Sequence, residues 1–163
     1  MRACRNGSTV VLALAAASVL SIAAGLARAA DKTVKMANVP KPVQKTMQEQ
    51  SKNAQVVGVL IENEGGKKLY ELETVAAGRT RDLLIDPEGR VVEVEAQADL
   101  DSLPAVLQDA IRKQSSGGKV TKIESITKGD DKVIAYEIHV KTGNKTRGFR
   151  LAPDGKPLPE DKD

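Results

Sequence analysis

Few residues in this chain could do chemistry. His139 is the single histidine and Cys4 the single cysteine. A metal centre of imidazole and thiolate type needs three or four ligands at set spacing, which these cannot supply. A Ser-His-Asp arrangement would have to combine His139 with Ser102, Ser115, Ser116 or Ser125, and none of these serines stands in a G-x-S-x-G elbow. Carboxylates are more plentiful: Glu71, Glu73, Glu93, Glu95 and Glu137 alternate with apolar residues. Calcium prefers oxygen ligands clustered in a loop, and paired carboxylates catalyse only where a pocket shifts one pKa. Alternation along strands offers neither, so these glutamates are expected to line an exposed sheet face and keep it soluble. The expectation is a chain that is not an enzyme and has no catalytic residue, metal ligand or cofactor.

The elements that carry these residues begin after a leader. Arg2 and Arg5 precede an apolar run from Val10 to Leu26, which ends in Ala27-Arg28-Ala29-Ala30 before the polar Asp31-Lys32. Positive start, apolar run and small-residue cleavage site are the parts of an export signal. The run is shorter than the ~20 residues that span a bilayer comfortably. Residues 1–30 are therefore expected to be a cleaved signal peptide, leaving no stable membrane insertion. Cleavage removes Cys4, so the mature protein could form no disulfide. It also removes Arg2, Arg5 and Arg28, which brings 25 Lys+Arg down to 22 against 22 Asp+Glu. The basic pI of the whole chain thus gives no case for a nucleic-acid partner.

The remainder reads as a duplication. Pro40 and Pro104 lie 64 positions apart, and at that offset Gln44 matches Gln108, Gln50 matches Gln114, Ser51 matches Ser115 and Val56 matches Val120. After a two-residue slip, Tyr70-Glu71 match Tyr136-Glu137, Thr80-Arg81 match Thr146-Arg147, and Pro87 and Gly89 match Pro153 and Gly155. Each copy predicts a helix followed by an antiparallel meander. Val43 with Met47, and Leu107 with Ile111, form apolar stripes four residues apart. Asp101 and Ser102 are placed to cap the second helix. Strands are predicted at Val56–Glu62, Lys67–Val75, Thr80–Ile85 and Arg90–Ala96, then at Val120–Thr127 and Lys132–Val140. Asp86-Pro87-Glu88-Gly89 and Ala152-Pro153-Asp154-Gly155 are tight turns in which Pro presets φ and Gly supplies a positive one. Pro157 and Pro159 each remove a ladder donor, so the last strand should be short and at an edge.

Period-two alternation separates the faces. Tyr70, Leu72, Leu83, Ile85, Val92 and Val94 point to the helix side, as do Ile134, Tyr136, Ile138, Val140, Phe149 and Leu151. Glu71, Glu73, Leu84, Glu93, Glu137, His139 and Arg150 point away from it. Those seven residues are the candidate partner-binding face. Arg81 and Arg147 fall on the helix side, and are expected to stretch their heads to water at the sheet end, pairing with a nearby acid.

The helix and meander, the strands Tyr70-Glu71-Leu72-Glu73 and Tyr136-Glu137-Ile138-His139, and the Asp86-Pro87-Glu88-Gly89-Arg90-Val91 turn resemble the PepSY-like domains of bacterial envelopes. These are related in fold to the β-lactamase inhibitor protein, a tandem of two such units. The resemblance implies an exported, non-catalytic module that binds another protein or regulates a protease. It differs in lacking aromatic anchors on the open face and in lacking a disulfide. The expected organisation is α+β: a signal peptide at 1–30, a disordered tether at 31–38, repeats at 39–98 and 99–158, and a disordered tail at 159–163. The expected partner is another envelope or secreted protein, met in the periplasm or outside the cell. The rival expectation is a sensor of a small ligand or ion, with its site between the two repeats.

Overall fold

A computed structural model describes residues 32–64, 66–129 and 132–159. The expected signal peptide, Asp31, the turn residues Gly65, Asp130 and Asp131, and positions 160–163 of the expected tail lie outside the described residues. Among the described residues nine strands form a single antiparallel sheet in sequence order. They are β1 (Lys32–Thr33), β2 (Gln55–Glu64), β3 (Lys67–Ala76), β4 (Arg79–Ile85), β5 (Val91–Gln97), β6 (Lys119–Lys128), β7 (Lys132–Thr142), β8 (Lys145–Leu151) and β9 (Pro157–Leu158). Helix α1 (Lys41–Gln50) lies between β1 and β2, and α2 (Ala105–Gln114) between β5 and β6.

Both helices pack on the same side of the sheet. Val43 and Met47 of α1 are fully buried against Val59, Tyr70, Leu72, Leu83 and Ile85. Leu107 and Ile111 of α2 repeat the arrangement against Ile123, Ile138, Val140 and Leu151. With so few aromatics, aliphatic burial supplies most of the drive, at about 1.5–3 kcal/mol for each fully buried side chain. The two clusters are separate, and the sheet joins them through the β5–β6 ladder, from Glu93 opposite Lys128 to Gln97 opposite Glu124.

The strands predicted from alternation are present, each within a few residues of its expected ends. The last is the two-residue β9 at the sheet edge, as the prolines require. Two expectations are corrected. Residues 32–38 are ordered rather than a tether: Lys32 and Thr33 pair with Ile61 and Leu60, Val34 N–H donates to the Val59 carbonyl at 2.9 Å, and Met36–Asn38 form a 3-10 turn. The same pattern stands 64 residues on, where Ala96 and Gln97 pair with Ser125 and Glu124, Ala98 N–H reaches the Ile123 carbonyl at 2.8 Å, and Leu100–Ser102 form a 3-10 turn. A two-residue strand carries too little alternation to be read from composition. The second correction concerns the cap of α2. Pro104 occupies the cap position with no side-chain cap bond, and Ser102 Oγ instead donates to the Asp99 carbonyl.

The D-x-x-G turn does more than reverse the chain. Gly89 has φ +87°, and a Cβ there would lie 2.8 Å from the Pro42 carbonyl oxygen. Thr46 Oγ1 donates to the Gly89 carbonyl at 2.6 Å, locking the turn onto α1. Gly155 sits in the same way against the Val106 carbonyl of α2. Glycine is needed for both the backbone conformation and the close approach.

The arginines at the sheet end also brace the helices. Arg81 donates to Gln50 Oε1 at 3.2 Å, and Arg147 donates to the Gln114 carbonyl while lying 5.4 Å from the centroid of the Phe149 ring. Each therefore ties its strand to the last residue of a helix. The acid partners expected for them are replaced by neutral helix-end acceptors, which suits the C-terminal end of a helix, where cations are favoured.

Candidate functional site

Alternation sends every second residue of β2 to β8 away from the helices. All seven predicted face residues lie on that side, and the register sets their neighbours. Glu71 is opposite Leu84, Leu84 opposite Glu93, and Glu93 opposite Lys128. In the next row Gly58 faces Glu73, Glu73 faces Asp82, Asp82 faces Glu95, and Glu95 faces Ile126. Across the other half, Glu124 is opposite Glu137 and Glu137 opposite Arg150, while Lys122 is opposite His139. Among the described residues no helix or strand packs against this face.

The face is nevertheless not the exposed one expected. Glu71, Asp82, Glu93, Glu95 and Glu124 are between 2 % and 8 % exposed, and Leu84 and Ile126 on the same side are almost fully buried. Long side chains on adjacent strands, about 4.8 Å apart, lie over one another. A Cβ on Gly58 would meet the Glu73 carboxylate at 1.7 Å, so Glu73 folds across β2. Lys128 Nζ is 2.6 Å from Glu93, and Lys122 Nζ is 2.6 Å from Glu124.

Crowding at the seam between β4, β5 and β6 has electrostatic consequences. Carboxylate oxygens of Asp82, Glu95 and Glu124 lie within 4.8 Å of one another. Burial pushes the Asp82 carboxyl up to about 6; Lys122 opposes the shift, Glu124 and Glu73 add to it, and the Thr74 N–H bond to Oδ1 opposes it. Burial would lower the Lys122 ammonium, but the bond to Glu124, with Asp82 and Glu95 behind it, holds it above the ordinary lysine range. The expectation that this side offers no pKa-shifting environment is thus overturned at Asp82.

His139, a member of the candidate partner-binding face, is half-buried, with Nε2 3.1 Å from the Glu137 carboxylate. That bond raises its pKa against the opposing effect of burial. Sequence reasoning placed Glu95 on this side but missed Asp82, Lys122 and Glu124 as members of the site. Parity alone would have found them, since Thr80, Asp82 and Leu84, and Lys122, Glu124 and Ile126, alternate along their strands.

A groove of about 720 Å³ opens at the end of the sheet where β3, the β4–β5 turn and the end of β6 converge. Lys67, Lys68, Arg90 and Lys128 line it together with Asp86 and Glu93. Arg90 is committed to Asp86 at 2.7 Å, and Lys128 to Glu93. Burial disfavours the Asp86 charge, but the Arg90 backbone N–H and guanidinium outweigh it and lower the pKa.

No family model matches the sequence, and no curated protein matches it as a relative. Solved structures do share the fold. A Bacteroides eggerthii protein assigned to the periplasm superposes with a TM-score of 0.59 at 19% identity, covering 74% of this chain and 86% of that one. A DUF2874 family protein of Bacteroides uniformis gives 0.58 at 17% identity over 74% and 87% of the two chains. A BLIP-like protein of Bacteroides fragilis gives 0.53 at 17% identity over 77% and 86%. The described residues therefore have an α+β fold similar to that of the BLIP-like protein: an antiparallel nine-stranded sheet with two helices.

Proposed function

We propose that this protein is a non-catalytic, extracytoplasmic protein-binding module that meets its partner with the sheet face opposite the helices. The observation that carries this reading is the continuous nine-stranded sheet with both helices on one side and charged side chains concentrated on the other. A broad sheet surface suits a protein partner better than a small molecule, which favours an enclosed apolar pocket. The leader-like N-terminus supports export, as does the periplasmic assignment of the Bacteroides eggerthii neighbour. We read the chain as two tandem PepSY-like units. The sequence matches at offsets of 64 and 66 support this, together with the paired sequence of strand end, 3-10 turn, helix and meander.

The groove lined by Lys67, Lys68 and Arg90 is where a small ligand would sit on the rival reading, since it brings Lys128 of the second half beside residues of the first. Its fixed ion pairs leave less of that charge to offer a ligand. The two readings separate in a crosslinked pull-down from envelope extract, comparing the native protein with a triple charge reversal at Glu71, Glu73 and Glu137. A discrete protein captured by the native form and lost by the variant supports the face. Identical capture by both forms refutes it and directs attention to the groove.

A further inference from the structure

We infer that the outer edge of β8, from Lys145 to Phe149, takes up one strand of a partner protein, an extended segment that alternates apolar with acidic residues. This surface is the rim of the sheet and not its face, so it is available whether or not the face binds. β9 pairs only with Arg150 and Leu151, and among the described residues no strand lies against the rest of β8. An unpaired row of N–H and C=O groups is a template for a further strand. The first half shows what this position accepts. There the matching residues of β4, Arg81, Asp82 and Leu83, pair with Ala96, Glu95 and Val94 of β5. β5 sends Val92, Val94 and Ala96 toward the helix and Glu93 and Glu95 to the far side. Under that cover Leu83 is fully buried, whereas its counterpart Phe149 stays partly exposed.

Charge sets the sign of the guest. From Ile138 to Pro153 the chain has no carboxylate, and it carries Lys141, Lys145, Arg147 and Arg150. Glu124 and Glu137 in the adjoining row are bonded to Lys122 and His139. Lys141, Lys145 and Arg147 are exposed, and Arg147 is held by the neutral Gln114 carbonyl. Where the first half sets Gly58, Glu73, Asp82 and Glu95 in one row, the second sets Lys122, His139 and Gly148. Gly148 has no side chain, so an acid opposite it can reach across toward His139, as Glu73 crosses Gly58 in the first half. A second acid two residues on would lie beside Thr146, with Lys141 behind it. The edge of a second copy would bring like charges together, so these cations select against self-pairing and for an acidic strand.

The experiment uses the full chain purified from its own cells and two labelled peptides, one alternating valine with glutamate and the other valine with lysine. Fluorescence anisotropy reads affinity, hydrogen exchange with mass spectrometry reads the main chain, and circular dichroism verifies the fold of every variant. The glutamate peptide should bind and the lysine peptide should not, and amide exchange across Lys145–Phe149 should slow in the complex. Lys141→Glu with Lys145→Glu should weaken binding about tenfold. Gly148→Val should weaken it too, because a side chain there blocks the path to His139. A control reversal at the other end of the fold, Lys45→Glu with Lys52→Glu, should leave it unchanged. Equal binding of the two peptides, no binding of either, or binding without slowed exchange across Lys145–Phe149 overturns the inference. Equal losses in the two reversals do the same. Binding that appears only after removal of residues 160–163 assigns the edge to the chain's own end, and a doubled mass without peptide that the Lys141, Lys145 reversal alters assigns it to a second copy; either result also overturns the inference.

Discussion

Asp82→Asn should stabilise the protein at neutral pH and leave it unchanged in acid. The native carboxyl titrates near 6 against an ordinary 3.8. A native group that holds its proton more tightly than the unfolded chain makes stability fall as pH rises between the two values. At about 1.4 kcal/mol per pKa unit the full difference is about 3 kcal/mol, and the solvent that still reaches the carboxyl reduces this to about 1–2 kcal/mol. The amide is nearly isosteric and keeps an oxygen for the Thr74 N–H, so the main change is loss of a buried charge, which Lys122 favours and Glu124 and Glu73 disfavour. The assay is urea unfolding of native and variant proteins across a pH series from below 4 to above 7. The curves should coincide at the acid end, diverge as pH passes through the interval between 3.8 and 6, and stay apart by a constant amount above it. A difference that does not vary with pH would refute the reasoning, as would a variant less stable at pH 7.

Three further outcomes follow from the same geometry. His139→Asn should cost under about 1 kcal/mol below pH 6.5, because the Glu137 bond favours the charged imidazole; the cost should vanish as pH rises through the raised native pKa, read by the same unfolding series. Gly89→Ala should cost about 2–3 kcal/mol, because the Cβ would enter at φ +87° and press on the Pro42 carbonyl; thermal unfolding measures it. Leu83→Ala and Ile138→Ala should each cost about 2–5 kcal/mol, since both side chains are fully buried in the two helix-facing clusters. Chemical unfolding would show whether the halves melt together, as the shared β5–β6 ladder implies.

Much of this architecture was legible because its signals are local. The Val43–Met47 and Leu107–Ile111 spacings placed one stripe on each helix, and alternation through Tyr70, Leu72, Leu83 and Ile85 assigned the core side correctly. The paired recurrence of Gln50 with Arg81 and of Gln114 with Arg147 was visible as matched letters, but the contacts between them needed the fold. Burial on the opposite face was not legible, because alternation gives direction and says nothing of how closely neighbouring side chains lie. The Asp82, Glu95 and Glu124 group depends on β5 pairing with β6 across the whole of α2, a register that no local pattern encodes. β1 was missed for the opposite reason: its two residues gain strand character only from Leu60 and Ile61.

The central claim, that the sheet face opposite the helices is the contact surface, is tested most directly by a photo-crosslinking residue placed in the full chain produced in its own cells. One version carries it at Glu73, half-buried on that face, and another at Val106, exposed on α2 on the other side. A discrete adduct of one mass from Glu73 and none from Val106 is the predicted result. The same adducts from both positions, or an adduct from Val106 alone, would contradict the account.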